Sequence, residues 1–207
     1  MKFFEIIFGE RIYFFLSFFI KLFLIAKGFK IGKNFYIKSF PDLKLKANEK
    51  NVIIGNNVSI LGKIDIRTRE KGFLKICDNV KIEEGCRIVA AREGKIILDN
   101  NSVITIGTII NGGGDIYVGE HSVIGPRNVI NSNEHLFKKD QIIQAQGFLH
   151  KPVFIGSDCW TGANVTIAKG IKIADKSIIG ANSFVNKDTE EAFIYGGVPI
   201  KKIGERN

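Results

Sequence analysis

A six-residue rhythm holds its frame through the C-terminal half of the chain and constrains the fold more than any other feature. The blocks are Ile155-Gly-Ser-Asp-Cys-Trp, Thr161-Gly-Ala-Asn-Val-Thr, Ile167-Ala-Lys-Gly-Ile-Lys, Ile173-Ala-Asp-Lys-Ser-Ile and Ile179-Gly-Ala-Asn-Ser-Phe. The first position is aliphatic in all but one block, and the second is Gly or Ala in each. A period of six fits neither the repeat of a helix nor the two-residue alternation of a strand. It is typical of a chain that coils, with one short strand and one tight corner in each block.

Related blocks recur along most of the chain at a longer spacing. They begin at Ile31, Ile54, Ile76, Leu98, Val118, Ile155 and Ile173. The start-to-start spacings are 23, 22, 22, 20, 37 and 18 residues, and three blocks of six make 18. The sequence therefore predicts an all-β solenoid in which each coil is a triangle of three strands. The polar, glycine-bearing segments 67–72 and 91–94 are predicted to be enlarged corners of the early coils.

One coil carries a long insertion, at about residues 132–152. The interval of 37 residues equals one coil of 18 plus 19 more. A long loop on a regular scaffold often carries function. Stacked coils also leave two open ends that need covers. We therefore divide the chain into an N-terminal helical segment (1–28), a solenoid (29–187) and a C-terminal cap (188–207).

The segment 1–28 differs sharply in composition from the repeats. It is rich in Phe, Ile and Leu, and its longest uncharged run, Ile12 to Ile20, is shorter than the ~20 residues that span a bilayer. Most of its polar residues fall on one side of a helical projection, which predicts an amphipathic helix with a very apolar face. Three interpretations stay open: a helix on a membrane surface, a helix packed on the body or another subunit, and a true span. A cleaved signal is disfavoured, because charged residues interrupt the apolar region.

The net charge indicates which partners the chain would bind, and the cysteines indicate whether it has disulfides or a metal site. A formal net charge of +9 favours polyanions, anionic lipid surfaces or phosphorylated ligands. No nucleic-acid motif is present and the basic residues are not interleaved with stacking aromatics, so no nucleic-acid partner is predicted. The three cysteines, Cys77, Cys86 and Cys159, form no Cys-x-x-Cys pair. They are predicted to be small apolar filler in a reducing compartment, with no disulfide and no metal site.

The blocks, the long loop with its histidine and the ending Tyr195-Gly-Gly-Val-Pro-Ile-Lys-Lys-Ile-Gly204 resemble the hexapeptide-repeat acyltransferases. Within that family the chain is most similar to acetyltransferases that modify sugars, of the maltose/galactoside type and the surface-polysaccharide type. The resemblance is most specific over 118–204, looser over 31–117 and absent over 1–28. It implies a left-handed parallel β-helix, an exception to the usual right-handed crossover. It also implies a homotrimer with active sites between neighbouring subunits.

The same resemblance implies that His135, in the inserted loop, is the general base. Imidazole, with a pKa near ~6.5, can remove the proton of a sugar hydroxyl as the oxygen attacks a thioester. Direct transfer in a ternary complex, without an acyl-enzyme, is the expected route. His150, at the end of the loop, is the alternative base, and His121 is expected to be a structural or exposed corner residue. Glu134 is a candidate for orienting the histidine or the acceptor.

Further residues are assigned to the acyl donor, acetyl-CoA, and to the acceptor by their match to the family. Gly162 would let the pantetheine arm approach the backbone, and a main-chain N–H near Ala163 would bind the thioester oxygen. Trp160 would form a flat apolar wall. The lysines expected to meet the phosphates of the coenzyme are Lys187, Lys201 and Lys202. Asn111 is expected to hold the acceptor.

The sequence thus predicts an enzyme, an acetyl-CoA-dependent O-acetyltransferase acting on a sugar or a lipid-linked glycan precursor. Its expected location is the cytoplasm, peripheral at the inner face of the membrane, in polysaccharide biosynthesis. Two other functions stay open: an N-acyltransferase for an amino sugar or nucleotide-sugar, and a non-catalytic trimeric scaffold. A metalloenzyme of the same fold is disfavoured, because the histidine spacings of 14 and 15 lack a His-x4-His pair.

Overall fold

A computed structural model describes residues 9–47 and 51–206 of the 207-residue chain. Helix α1 (Arg11–Ala26) precedes the strands, and a short helix α2 (Ile143–Gln146) lies in the inserted loop. The strands form three parallel sheets, A, B and C, because inward aliphatic side chains recur at each side of every coil. Each sheet takes one strand from every coil, so the coils are triangular and stack seven deep. The predicted all-β solenoid is confirmed, and its parallel sheets are consistent with the left-handed β-helix.

The strands of each sheet and their residue ranges are as follows. Sheet A contains β1 (Lys30–Ile31), β4 (Val52–Ile54), β7 (Phe73–Ile76), β10 (Lys95–Leu98), β13 (Ile116–Val118), β18 (Val153–Ile155) and β21 (Lys172–Ile173). Sheet B contains β2 (Tyr36–Ile37), β5 (Ser59–Ile60), β8 (Lys81–Ile82), β11 (Val103–Ile104), β14 (Val123–Ile124), β19 (Trp160–Thr161), β22 (Ile178–Ile179), β24 (Phe193–Gly196) and β25 (Lys201–Glu205). Sheet C contains β3 (Asp42–Leu45), β6 (Asp65–Thr68), β9 (Arg87–Ala90), β12 (Ile109–Gly112), β15 (Val129–Asn131), β20 (Thr166–Ile167) and β23 (Phe184–Val185). A separate hairpin pairs β16 (Asn133–His135) with β17 (Phe148–His150).

The core is a column of aliphatic side chains along the solenoid axis. Ile104, Ile124 and Ile179 represent it, each with no exposed surface. Full burial of one such side chain stabilises the fold by roughly 1.5–3 kcal/mol, so the repeated column is the main stabilising element. The corners between strands carry residues with positive φ, among them His121 (φ 60°) and Asn164 (φ 56°). Asparagine tolerates this conformation better than most residues, which explains its frequency in the blocks.

Each end of the solenoid is covered. At the N-terminal end, α1 packs on the first coil, and Ile20 and Leu24 join the column of core residues. At the C-terminal end, β24 continues sheet B and β25 folds back on it antiparallel. Among the described residues, no helix has both the length and the apolar character needed to cross a bilayer.

Candidate active site

The inserted segment leaves the solenoid after β15 and forms an antiparallel hairpin. In the hairpin Asn133 is opposite His150, and His135 is opposite Phe148. Its base is fastened to the column by Ser132, whose hydroxyl donates to the Gly114 carbonyl at 2.9 Å. The hairpin therefore stands beside sheet C at a fixed position, where the regular repeat has been interrupted.

A groove of about 660 Å³ lies between this hairpin and the outward side of sheet C. Three of the predicted site residues line it together: His135, Glu134 and Asn111. The remaining lining comes from the hairpin and its loop, from α2, from β15, β20 and β23 of sheet C and from the corner after β20. These are Asn131, Asn133, Phe137, Ile143, Phe148, Thr166, Ile167, Ala168, Lys169 and Phe184. The groove therefore combines amide, aromatic and ionisable groups on a concave surface, the usual composition of a small-molecule site.

The imidazole of His135 is held mainly by packing. Its ring lies against Phe148, with 4.0 Å between ring centroids and 41° between the planes. In the described part of the chain the imidazole has no hydrogen-bond partner, so both ring nitrogens remain open to a ligand. A neutral imidazole in this position can accept a proton from a hydroxyl or amine that enters the groove.

Glu134 forms an ion pair with Lys169 across the groove. Lys169 lies at the corner after β20, with 18% of its side chain exposed, whereas Glu134 is 46% exposed. The pair joins the middle of β16 to the sixth coil. The structure therefore gives Glu134 a cationic partner on the column, in addition to its place beside His135.

Three asparagines form a polar cluster at the hairpin end of the groove. The Asn111 side-chain amide donates to Asn131 Oδ1 at 3.1 Å and to Asn133 Oδ1 at 3.4 Å. Asn111 and Asn131 are register partners on adjacent strands of sheet C. Amides that retain unused donors and acceptors suit the hydroxyl groups of a sugar.

The other two histidines lie outside the groove. His150 packs on Gly113 so closely that a Cβ at residue 113 would lie 2.4 Å from its Nδ1. That Nδ1 is buried and has no hydrogen-bond partner among the described residues. His121 sits at a corner, largely exposed and 3.5 Å from Glu120. His135 is thus the histidine whose ring faces the lined cavity.

The predicted donor-binding residues lie on another side of the solenoid. Trp160 is on sheet B between Val123 and Ile178, and 53% of it is exposed. Gly162 and Ala163 form the following corner, where a Cβ on Gly162 would lie 2.6 Å from the Ala181 nitrogen. Tight stacking of coils therefore requires glycine at 162 whatever else it does.

The three predicted lysines lie towards the C-terminal end. Lys187 is exposed after β23, and Lys201 is exposed on β25. Lys202 pairs with Glu190 at 3.2 Å and lies over the Phe193 ring. None of the six predicted donor residues lines the groove beside His135. Within one chain, the acceptor and base candidates are together and the donor candidates are apart from them, so the donor assignments stay predictions.

The sequence reasoning missed Thr166, Phe184 and Lys169. A signal for the first two was present, because both occupy the sixth position of a block and lie 18 residues, or one coil, apart. The structure pairs Thr166 with Phe184 on sheet C, with both side chains exposed. Lys169 had no such signal, because its role depends on where the hairpin lies.

The cysteines are buried in the column and form no disulfide. Burial raises the pKa of the Cys86 thiol and of the Cys159 thiol to about 11. Both are therefore protonated thiols near neutral pH, a poor state for nucleophiles or metal ligands. Within residues 9–47 and 51–206, no group of three or more His, Cys, Asp and Glu side chains is arranged to hold a metal ion.

Part of the repeat region matches a known family model, and two curated relatives are similar to part of the chain. Residues 152–187 match the family model described as bacterial transferase hexapeptide (six repeats). The galactoside O-acetyltransferase of Lactococcus lactis is 35% identical over 86 residues, covering 41% of each chain. The putative colanic acid biosynthesis acetyltransferase WcaF of Escherichia coli is 32% identical over 93 residues, covering 45% of this chain and 49% of WcaF. The chain thus spans less than half the length of these relatives, and the resemblance to the hexapeptide-repeat family is confirmed.

Solved structures show the same fold over more of the chain. AntD, an N-acyltransferase from Bacillus cereus in complex with dTDP-4-amino-4,6-dideoxyglucose and coenzyme A, superposes with a TM-score of 0.67. The two chains are 22% identical, and the match covers 90% of this chain and 89% of AntD. The polySia-specific acetyltransferase NeuO also gives a TM-score of 0.67 at 22% identity, covering 86% of this chain and 75% of NeuO.

Proposed function

We propose that this hexapeptide-repeat protein is an acyltransferase that moves the acetyl group of acetyl-CoA to a hydroxyl of a sugar or glycan precursor. The observation that carries the proposal is His135, which faces a groove lined by amides and aromatic rings. The similarity to a galactoside acetyltransferase and a putative colanic acid acetyltransferase supports acetyl transfer and the class of acceptor, and the coenzyme A bound to AntD supports the acyl donor.

The proposed reaction needs one base and one bound acceptor. His135 accepts the proton of the acceptor hydroxyl while its oxygen attacks the thioester carbonyl carbon. The C–S bond then breaks, and the imidazolium returns the proton to the departing thiolate. The products are the acetyl ester and free coenzyme A. No acyl-enzyme is required, and the buried, protonated cysteines offer no alternative nucleophile.

The acceptor is proposed to lie against Asn111 and Asn131 on sheet C. Their amides can donate to and accept from sugar hydroxyls, and Phe184 supplies an apolar surface for a pyranose ring. Glu134 is proposed to hold the hairpin, and with it His135, over the acceptor through its pair with Lys169.

We propose that the active protein is a homotrimer. In one chain the donor candidates Trp160, Gly162 and Ala163 lie on sheet B or its corner, away from the groove on sheet C. A neighbouring protomer whose sheet B faced this groove would bring them to His135. Lys187, Lys201 and Lys202 would then be available for the phosphates of coenzyme A. The proposed setting is glycan synthesis at the cytoplasmic face of a membrane; of the predicted N-terminal segment, residues 1–8 lie outside the described residues.

The direct test is thiol release from acetyl-CoA in the presence of a panel of sugars and glycan intermediates. His135→Ala should lower the rate by about 10²–10⁴-fold, the usual contribution of a general base. His121→Ala is the matched control, because it removes an exposed histidine from a corner outside the groove. Undiminished release by His135→Ala would refute the assignment of the base. No release with any acceptor, together with no coenzyme A binding by calorimetry, would favour a scaffold.

The second candidate is an N-acyltransferase for an amino sugar carried by a nucleotide. It is favoured by the match to AntD, which extends over nine-tenths of this chain. The same groove and base serve both reactions, since a protonated amine must also lose a proton before it attacks a thioester. Mass spectrometry of the product after mild alkali separates the two, because an ester is cleaved and an amide survives.

A further inference from the structure

The side of helix α1 that packs on the solenoid carries both polar residues and core aliphatic ones, whereas its phenylalanines are exposed. Ser17 is buried, and its hydroxyl accepts a hydrogen bond from the Ile37 N–H at 2.8 Å. The Lys21 ammonium donates to the Gly32 carbonyl. These contacts satisfy backbone groups of the first coil, which has no earlier coil to pair with. The polar residues on the inner side of the helix are thus engaged in covering the end of the solenoid.

The opposite side of α1 is apolar and open. We call it the outer face, and it consists of Phe15, Phe18, Phe19, Leu22 and Ile25. These side chains are between 44% and 71% exposed. Phe40 on the first coil, 51% exposed, extends the patch through its contact with Phe23, 6.0 Å between ring centroids. Single exposed hydrophobic residues are ordinary, but a contiguous aromatic patch of this kind marks an interaction surface.

The excess of basic residues around α1 indicates what kind of partner the outer face would meet. Residues 9–47 contain eight basic residues and two acidic ones, whereas residues 51–206 contain 20 basic and 17 acidic ones. Arg11 opens the helix and Lys27 follows it, while Lys30 and Lys33 lie on the first coil, and all four are exposed. An apolar face beside an excess of lysine and arginine matches a lipid surface with acidic headgroups. A second copy of the same end would meet it with like charge, which opposes self-association.

We propose that the outer face of α1 docks on a bilayer that contains anionic phospholipid, with the helix in the plane of the interface. Sixteen residues of helix extend about 24 Å, less than the ~30 Å hydrocarbon core, so α1 lies on the membrane and does not cross it. The aromatic side chains enter the headgroup boundary, and the four basic side chains contact the phosphates.

This orientation also sets the height of the groove above the lipid. The coils stack away from α1, and the hairpin leaves the fifth coil, four intervals from the first. At about 4.8 Å for each interval, His135 stands roughly 20 Å above the first coil. If the proposed function holds, the sugar that reacts is separated from its lipid anchor by several other residues of the glycan.

The test is co-sedimentation of the full chain with vesicles at low salt. One set is phosphatidylcholine alone, and in the other about a third is phosphatidylglycerol. The wild-type protein should bind the anionic vesicles at least ~10-fold more tightly than the neutral ones. A variant with Phe15→Gln, Phe18→Gln and Leu22→Gln should lose about 10-fold or more of that affinity. The matched control is Ile106→Gln, Ile142→Gln and Ile203→Gln, which removes three exposed apolar side chains elsewhere and should bind like wild type.

A second variant tests the charges without touching the aromatic residues. Replacing Lys27, Lys30 and Lys33 by Gln should weaken anionic binding by roughly fivefold for each lysine and flatten its salt dependence. Equal binding to both vesicle types, or equal loss in the isoleucine control, would overturn the proposal. An oligomer that the three α1 substitutions dissociate, with no vesicle binding, would assign the face to a second copy instead. Since neither acetyl-CoA nor a sugar is present, this result stands apart from the thiol-release assay.

Discussion

The outward side of sheet C is built from the same two rows of side chains over its whole height, but its two halves differ in character. Over β6 and β9 the rows carry charge: Asp65 accepts hydrogen bonds from Arg67 at 2.7 Å and from Arg87 at 2.9 Å. From β12 to β23 the corresponding register positions are uncharged. They are Ile109, Val129, Thr166 and Phe184 in one row and Asn111 and Asn131 in the other.

The two halves of sheet C differ in how far their outward polar side chains are already hydrogen-bonded within the protein. The Asp65 carboxylate is 19% exposed and uses its oxygens on two guanidinium groups from the same sheet. In the other half, the asparagine amides keep unused donors and acceptors and face a cavity closed by the hairpin. Hydrogen bonding that is complete within the protein leaves little for a substrate, whereas incomplete bonding in a groove is available for recognition.

We call the part of sheet C over β6 and β9 the closed half, and the part from β12 to β23 the open half. The largest expected effect comes from giving the open half a charged side chain like those of the closed half. Thr166→Arg would place a guanidinium in the groove one coil below Phe184, at an exposed position that tolerates the added volume. We expect transfer to fall by about 100-fold or more, because the acceptor would be displaced from His135. Thiol release gives the rate, and thermal unfolding should show little change.

The matched control is Arg87→Thr, which makes the reverse change at the corresponding position in the closed half. It should leave transfer unaffected, since Arg87 lies on the third coil and outside the lining of the groove. If Thr166→Arg transferred acetyl at the wild-type rate, the groove on sheet C would not be the acceptor site.

The column was largely predictable from the sequence, since it follows from the repeat. The charged cluster on β6 was not, because the sequence assigned Arg67 to an enlarged corner, whereas it lies within the strand. Ile155 and Ile173 open blocks, and both are fully buried on sheet A. The insertion at 132–152 corresponds to the hairpin that begins at Asn133 and ends at His150. Inward positions are specified by the hydrophobic pattern, and a coil leaves its neighbours few alternative registers.

The hairpin and α1 could be placed only by the structure. The residues of the insertion have no repeat partners, so the pairing of Glu134 with Lys169 had no sequence signal. The helix at the N-terminus was expected from its composition, but the pattern did not say which side of it packs on the solenoid. Burial of Ser17 in place of Phe15 is decided by the unpaired backbone of the first coil.

A smaller loss of acetyl transfer is expected when the ion pair between the hairpin and the open half is removed. Lys169→Met keeps the length of the side chain but removes the charge that holds Glu134. Because the pair is partly exposed, its loss should hardly change the free energy of unfolding, by about 0–1 kcal/mol. It should lower transfer by roughly 10-fold, since His135 is adjacent to Glu134 and a small displacement of a catalytic group is costly.

The double variant Lys169→Met with Glu134→Gln identifies how the pair acts. If the pair only holds the hairpin, the double variant should be no worse than either single variant, because both remove the same interaction. Additive losses would show instead that Glu134 or Lys169 contacts the acceptor directly.

The smallest predicted effect is a pH-dependent change in the free energy of unfolding when the Asp65 carboxylate of the closed half is removed. Hydrogen bonds from the Arg67 guanidinium, and to a lesser extent from Arg87, hold the pKa of Asp65 below its ordinary value. A carboxylate whose pKa is lower in the folded chain adds stability above its unfolded pKa of about 3.9 and loses it as the pH falls through the folded value. Asp65→Asn should therefore lower the free energy of unfolding by at most about 1 kcal/mol at neutral pH.

That difference should shrink as the pH falls below about 4 and vanish below the lowered pKa of the folded carboxyl, because only there is the wild-type Asp65 protonated and no longer attracted to the two arginines. Urea unfolding of both proteins at about pH 7 and about pH 3 measures it, and the other acidic groups cancel in the comparison. A difference that stayed constant down to low pH would mean that Asp65 stabilises the sheet by packing. Transfer should be the same in both proteins at neutral pH, since Asp65 lies outside the lining of the groove beside His135.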